Sequence, residues 1–165
     1  MCYSKIKMIK NNASARRAAL ACTVFTSIVA IAFLYGRVVS GVCPIYEPLD
    51  SFDVESYTGI WYELQRDKEF MSGYGECGTA QYSLREQGGV NVQNSEYVEG
   101  SGKNSIAGYA LPSAFFPGYL NVFFFAGYGG EYSIIDTDYT SYSIVYGCTQ
   151  FGPFKSELTW VLVRD

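Results

Sequence analysis

The sequence predicts an all-β protein: an eight-stranded antiparallel up-and-down barrel, preceded by one hydrophobic N-terminal helix. Three observations predict it. The chain is rich in Tyr (15) and Phe (11) and is punctuated by 17 Gly, a mixture that favours short strands and turns. Eight strand-like runs follow one another within about 105 residues, separated by turn chemistry. One uncharged stretch of 18 residues, Ala18 to Tyr35, stands apart near the N-terminus.

The eight runs are Gly59–Arg66, Cys77–Glu86, Val90–Glu99, Ser105–Leu111, Tyr119–Phe125, Glu131–Asp138, Ser141–Thr149 and Leu158–Arg164. Gln87-Gly88-Gly89, Gly100-Ser101-Gly102, Pro112 to Gly118, Gly127 to Gly130 and Gly152-Pro153 break them. A barrel of this size removes exposed strand edges and can enclose one small ligand. A two-sheet sandwich is the alternative on pattern alone.

Charge divides the chain. Residues 1–41 carry six of the 12 Lys and Arg and no acid, whereas residues 42–165 hold six bases against all 16 acids, a net charge of −10 (6 − 16). The expected organisation is therefore a basic N-terminus with an anchor or signal segment over 1–41, then a barrel domain over 42–165. An apolar core of 18 residues sits between a signal peptide (about 7–15) and a membrane span (about 20), so cleavage and retention both stay open. Charge bias keeps Met1–Arg17 on the cytoplasmic or matrix-like side and sends the acidic body across. The barrel is expected membrane-anchored on the non-cytoplasmic side, or secreted if the segment is cleaved. An Arg-containing, acid-free front end also fits an organelle transit peptide. Val42 before Cys43 does not fit the bacterial lipoprotein signal.

Composition also excludes. No histidine is present, which removes Ser-His-Asp and Cys-His nucleophile systems and His-ligated metals. No C-x-x-C pair occurs, so a zinc site is not expected. No metal or cofactor is expected. The acidic balance argues against nucleic acid.

Three signatures fall in order along the strands. Gly59-Ile60-Trp61 opens the first, Thr137-Asp138-Tyr139 lies between the sixth and seventh, and Arg164 ends the eighth. In this order and spacing the chain resembles the lipocalin family over about residues 43–165. Tyr82-Ser83-Leu84-Arg85 with Gly88-Gly89 is similar to the bacterial outer-membrane lipocalins and their plant relatives. Cys43-Pro44 and Tyr146-Gly147-Cys148-Thr149 are similar to apolipoprotein D. The resemblance implies that Trp61 plugs the barrel floor under Arg164, both as structural groups. It also implies a Cys43–Cys148 disulfide, an oxidising compartment, and a Cys77 that is free or bonded to another chain. Lipocalins usually continue into an outer α-helix after the last strand. Here the sequence stops at Asp165, so that helix is expected to be absent.

Strand parity yields a candidate pocket. From Trp61 the inward face carries Glu63; the second strand offers Ala80, Tyr82 and Leu84. The fifth offers Leu120, Val122 and Phe124, the sixth Tyr132 and Ile134, the eighth Trp160. Glu63 is the odd member, with Tyr82 as its candidate donor. The loops Asp67–Glu76 and Pro112–Gly118 are expected to frame the mouth, with Phe70 on its rim. Phe123 and Phe125 should point outward and, with Cys77, mark a possible protein contact. The bland version packs them on Pro44–Val54.

The expected function is binding of a small hydrophobic ligand such as a fatty acid, lysolipid, sterol or pigment, tethered to a membrane through residues 18–35. The alternative is a non-catalytic accessory subunit of a membrane complex. Catalysis is not expected: by parity Cys77 faces away from the pocket, and Glu63 lacks a second carboxylate.

Overall fold

The computed structural model describes residues 38–67, 75–124 and 129–165. These form β1 (Val38–Ser40), α1 (Val54–Tyr57), β2 (Gly59–Arg66), β3 (Glu76–Leu84), β4 (Val90–Val98), β5 (Gly102–Pro112), β6 (Tyr119–Phe123), β7 (Gly129–Thr137), β8 (Tyr142–Phe151) and β9 (Phe154–Val163). The expected helix over 18–35 lies outside the described residues. Within them, no helix is long and apolar enough to cross a membrane.

All pairings are antiparallel, in the order β2 to β9. β9 lies against β8 on one edge and against β2 on the other, which closes the eight-stranded ring. That closure excludes the sandwich. β1, which the sequence pattern does not reveal, occupies the remainder of the β2-side edge of β9, opposite Phe154–Ser156.

The barrel has two unlike ends. Gly59 pairs with Tyr82, Leu84 with Val90, and Val90 with Ala110, so these residues gather at one end. Because strands alternate in direction, the connection after β2 lies at the other. Pro112–Gly118, after β5, therefore belongs to the first end, not to the mouth expected for it. Phe115 (87% exposed) and Phe116 (56%) therefore stand at the first end, with Gly59 and Leu84.

The segment before α1 wraps the outside and then seals the first end. Cys43 is disulfide-bonded to Cys148, closing 105 residues of chain. Tyr46 stacks edge-on against Tyr146 at 4.8 Å and hydrogen-bonds Ser133 at 3.0 Å. The Leu49 N–H donates to Ile134 O, and Leu49 O accepts from the Gly118 N–H. α1 is then capped by Asp53, which accepts from the N–H groups of Glu55 and Ser56.

Candidate ligand-binding site

The floor is built first. Trp61, fully buried, donates its indole N–H to Tyr57 O at 2.9 Å. The guanidinium of Arg164 lies over the indole, 3.8 Å from the ring centroid. Its N–H groups donate to Ile60 O (2.7 Å), Thr58 O (2.8 Å), Tyr57 O (3.3 Å) and Tyr139 O (3.3 Å). One side chain thus ties the start of β2, the end of β9 and the turn after β7 together. Gly59 sits at φ +105°, and a Cβ there would meet Arg164 Nη1 at 2.9 Å. The turn itself is held by Asp138, whose carboxylate accepts from the N–H groups of Thr140, Ser141 and Tyr142 and from the Ser141 hydroxyl. Bonding to Ser141 above all holds the Asp138 carboxyl well below its ordinary pKa.

Above the floor, hydroxyls form a buried chain. Ser143 Oγ meets Tyr57 Oη at 2.8 Å, Tyr57 Oη meets Tyr132 Oη at 3.3 Å, and Tyr132 Oη meets Tyr82 Oη at 2.9 Å. Burial pushes the Tyr57 hydroxyl up to about 12 and raises Tyr82 and Tyr132 as well, so all three stay protonated. Tyr82 on β3 and Tyr132 on β7 come from opposite walls. Their contact crosses the barrel interior above the floor.

The upper half is bounded by the remaining inward residues. Val122, Phe124 and Trp160 pack on the core above Tyr132, whereas the buried Leu120 pairs with Tyr132 and the buried Ile134 lies on its closed-end side, bonded to Gly118 O. Phe124 lies over Gly108, with Cδ1 2.7 Å from where a Cβ would stand. Leu84 is a correction to the expected list. It shares parity with Tyr82 but lies beyond Gly59, past the floor, and is 54% exposed. Phe70 and Phe125 lie outside the described residues.

Glu63 does point inward, but its partner is not Tyr82. Leu64 is an extra residue in β2: Glu63 pairs with Leu162 and Gln65 with Val161. This bulge returns Arg66 to the inner face, opposite Trp160. Arg66 Nη1 donates to Glu63 at 2.9 Å, and Nη2 donates to Glu96 at 3.0 Å and to Gly75 O at 2.6 Å. The Gly75 N–H donates to Glu96 in turn. The three charged side chains are 7%, 17% and 16% exposed for Arg66, Glu63 and Glu96. Burial raises the Glu63 pKa, opposed by Arg66 and assisted by Glu96. One turn of the pleat below Glu96, the buried Oδ1 of Asn94 has no hydrogen-bond partner. Regular β2–β3 pairing spans only Gly59–Tyr62, and where the strands part a hollow of about 300 Å³ opens beside Glu63, Arg66, Gly75 and Gly78.

Sequence reasoning missed Arg66, Asn94, Glu96, Tyr57 and Ser143. Parity with Val90 and Val92 marks Asn94 and Glu96 as inward, a signal available from β4 alone. Arg66 had no such signal, because the bulge reverses its parity. Phe123, expected to point outward as a possible protein contact or to pack on Pro44–Val54, is half-buried and stacks on Tyr109 at 5.1 Å, with the Arg85 guanidinium 4.3 Å from the Tyr109 ring. Cys77 is free and exposed, at φ +54°. Among the described residues no group of His, Cys, Asp and Glu is placed to hold a metal.

A closed eight-stranded barrel, plugged at one end and lined above the plug, defines a small-molecule binding scaffold. A family model described as a lipocalin-like domain matches residues 52–165. The chain belongs to the lipocalin family. Apolipoprotein D of Rattus norvegicus is 37% identical over 128 residues, covering 76% of this chain and 67% of its own. Bilin-binding protein of Pieris brassicae is 30% identical over 132 residues, covering 76% and 68%. Insecticyanin from Manduca sexta superposes with a TM-score of 0.67 at 23% identity, over 76% of this chain and 70% of that one, a likeness of fold.

Proposed function

We propose that this protein binds a small hydrophobic ligand, without catalysis, in the upper half of its barrel. The observation that carries the reading is the wall above the Tyr82–Tyr132 contact: Val122, Phe124 and Trp160 give it an apolar surface, with a few polar groups at one side. Family membership supports it, since lipocalins bind small hydrophobic molecules such as lipids and pigments in this space. Ala80 adds to the apolar lining, Leu120 and Ile134 back it at and below the level of Tyr132, and Glu63 supplies part of the polar side. The Cys43–Cys148 bridge supports a non-cytoplasmic, oxidising location. Residues 1–41 serve as the basic N-terminus and the anchor or signal, with 18–35 as the membrane-seeking part.

A second reading, an accessory subunit of a membrane complex, has one observation in its favour. Ile60, Tyr62 and Leu64 stand exposed in a row on the outer face of β2. Native mass spectrometry of the full-length chain, extracted from its own membrane in mild detergent, separates the two. A lipid- or pigment-sized adduct without a protein partner supports binding. An empty barrel co-isolating in a large complex overturns it in favour of the subunit.

A further inference from the structure

The polar side of the barrel is unbalanced, and the imbalance has a chemical sign. Arg66 is engaged by Glu63, Glu96 and Gly75 O. Among the described residues it is the one cation within ion-pair distance of either carboxylate. Among the described residues, two carboxylates against one guanidinium leave one negative charge in excess. Arg66 puts three of its five N–H groups into these bonds, and each carboxylate keeps an oxygen that makes none of them. Asn94 Oδ1 adds a buried acceptor with no donor facing it. An unmatched buried acceptor costs free energy until a donor reaches it.

The arrangement is held from behind. A Cβ on Gly78 would collide with the Glu63 carboxylate, and one on Gly75 would lie 2.7 Å from Glu96 Oε2. These two glycines let both carboxylates lie close against β3 and its approach, and Glu63 with Arg66, Gly75 and Gly78 borders the hollow of about 300 Å³.

We propose that the ligand is an amphiphile whose polar end donates hydrogen bonds and carries no negative charge, a protonated long-chain amine being the best match, with that end at Glu63, Glu96 and Asn94. This rests on the hydrophobic-ligand reading above and narrows it. Long-chain carboxylates are disfavoured, because their head would meet two like charges while the Arg66 guanidinium is already shared between them.

The test offers hexadecylamine, hexadecanol and hexadecanoic acid together, at equal concentration, to the full chain in one detergent. Adducts are counted by native mass spectrometry. The expected order is amine, alcohol, acid, with the amine adduct exceeding the acid by about tenfold. In Glu63→Gln/Glu96→Gln, which leaves Arg66 with neutral partners, the amine-to-acid ratio falls by at least that factor. Detergent partitioning is common to both proteins, so the change in ratio reports the site. An acid adduct equal to or above the amine in the natural chain overturns this inference and leaves hydrophobic binding standing. So does an unchanged ratio in a variant whose circular dichroism is native. If the variant does not fold, Asn94→Leu replaces it, and a ratio unmoved there counts against the proposal. No adduct of any kind overturns the binding reading and this one with it.

Discussion

The guanidinium of Arg164 lies 3.8 Å from the centre of the Trp61 indole, and the two residues, one in β2 and one just past β9, are 103 positions apart in the chain. The pair is the keystone of the closed end. Arg164 covers the ring and at the same time bonds carbonyls before β2, within β2 and in the turn after β7. Arg164→Ala is expected to lower the free energy of unfolding by about 3 kcal/mol, combining a cation–π contact with charged hydrogen bonds. Arg164→Lys keeps the charge but not the fork, and recovers less than half. Urea denaturation measures both, and a loss under 1 kcal/mol for the alanine variant would remove Arg164 from this role.

Gly59 should depend on Arg164. Its φ of +105° strains any other residue, and a Cβ would also crowd Arg164 Nη1. Gly59→Ala is expected to cost about 2 kcal/mol in the natural background. With Arg164→Ala the crowding disappears and only the backbone cost remains. A double-mutant cycle reads the difference; strictly additive losses would show that the two residues are independent.

The Cys43–Cys148 bridge fastens the wrapping segment to β8. Replacing both by Ser is expected to destabilise by about 2–4 kcal/mol, mainly by freeing the unfolded chain. Thermal melts with and without reductant give the comparison. The natural protein should fall toward the variant when reduced, and the variant should not respond.

Acid should weaken the turn after β7. The Asp138 carboxyl titrates below its ordinary value of 3.8 because the folded turn bonds its ionised form. Its contribution is therefore complete above about pH 4 and is lost as pH falls through the folded value. Asp53 has the same sign, through Ser56. Glu63 has the opposite one: its pKa is raised, so its ionisation on going up through pH 4.5 works against the fold. Asp138→Asn is expected to melt lower than the natural protein at pH 6 and to lose less on acidification to pH 3. Parallel slopes across that range would contradict the assignment.

The strands were legible because their signals are local. β2 spans Gly59–Arg66 as alternation predicts, and the others differ by a few residues at their ends. Inward placement of Ala80, Tyr82, Leu120 and Ile134 follows from the same alternation. β1 was not legible, since three residues without turn signals become a strand only when β9 offers an edge. α1 is one turn and carries no period.

By itself the sequence determined the β class, the number of barrel strands and the turn positions, while the floor of Trp61 under Arg164 came from the family resemblance that its motifs carry. These rest on side-chain periodicity, backbone permissiveness and short motifs, which are properties of neighbours along the chain. Only the tertiary structure decided which loops share an end of the barrel, that Leu84 lies past the floor, that Tyr82 and Tyr132 meet across the centre, and that Arg66 turns inward between Glu63 and Glu96. Each depends on register between strands far apart in sequence, and one extra residue, Leu64, is enough to reverse the facing of everything after it in its strand.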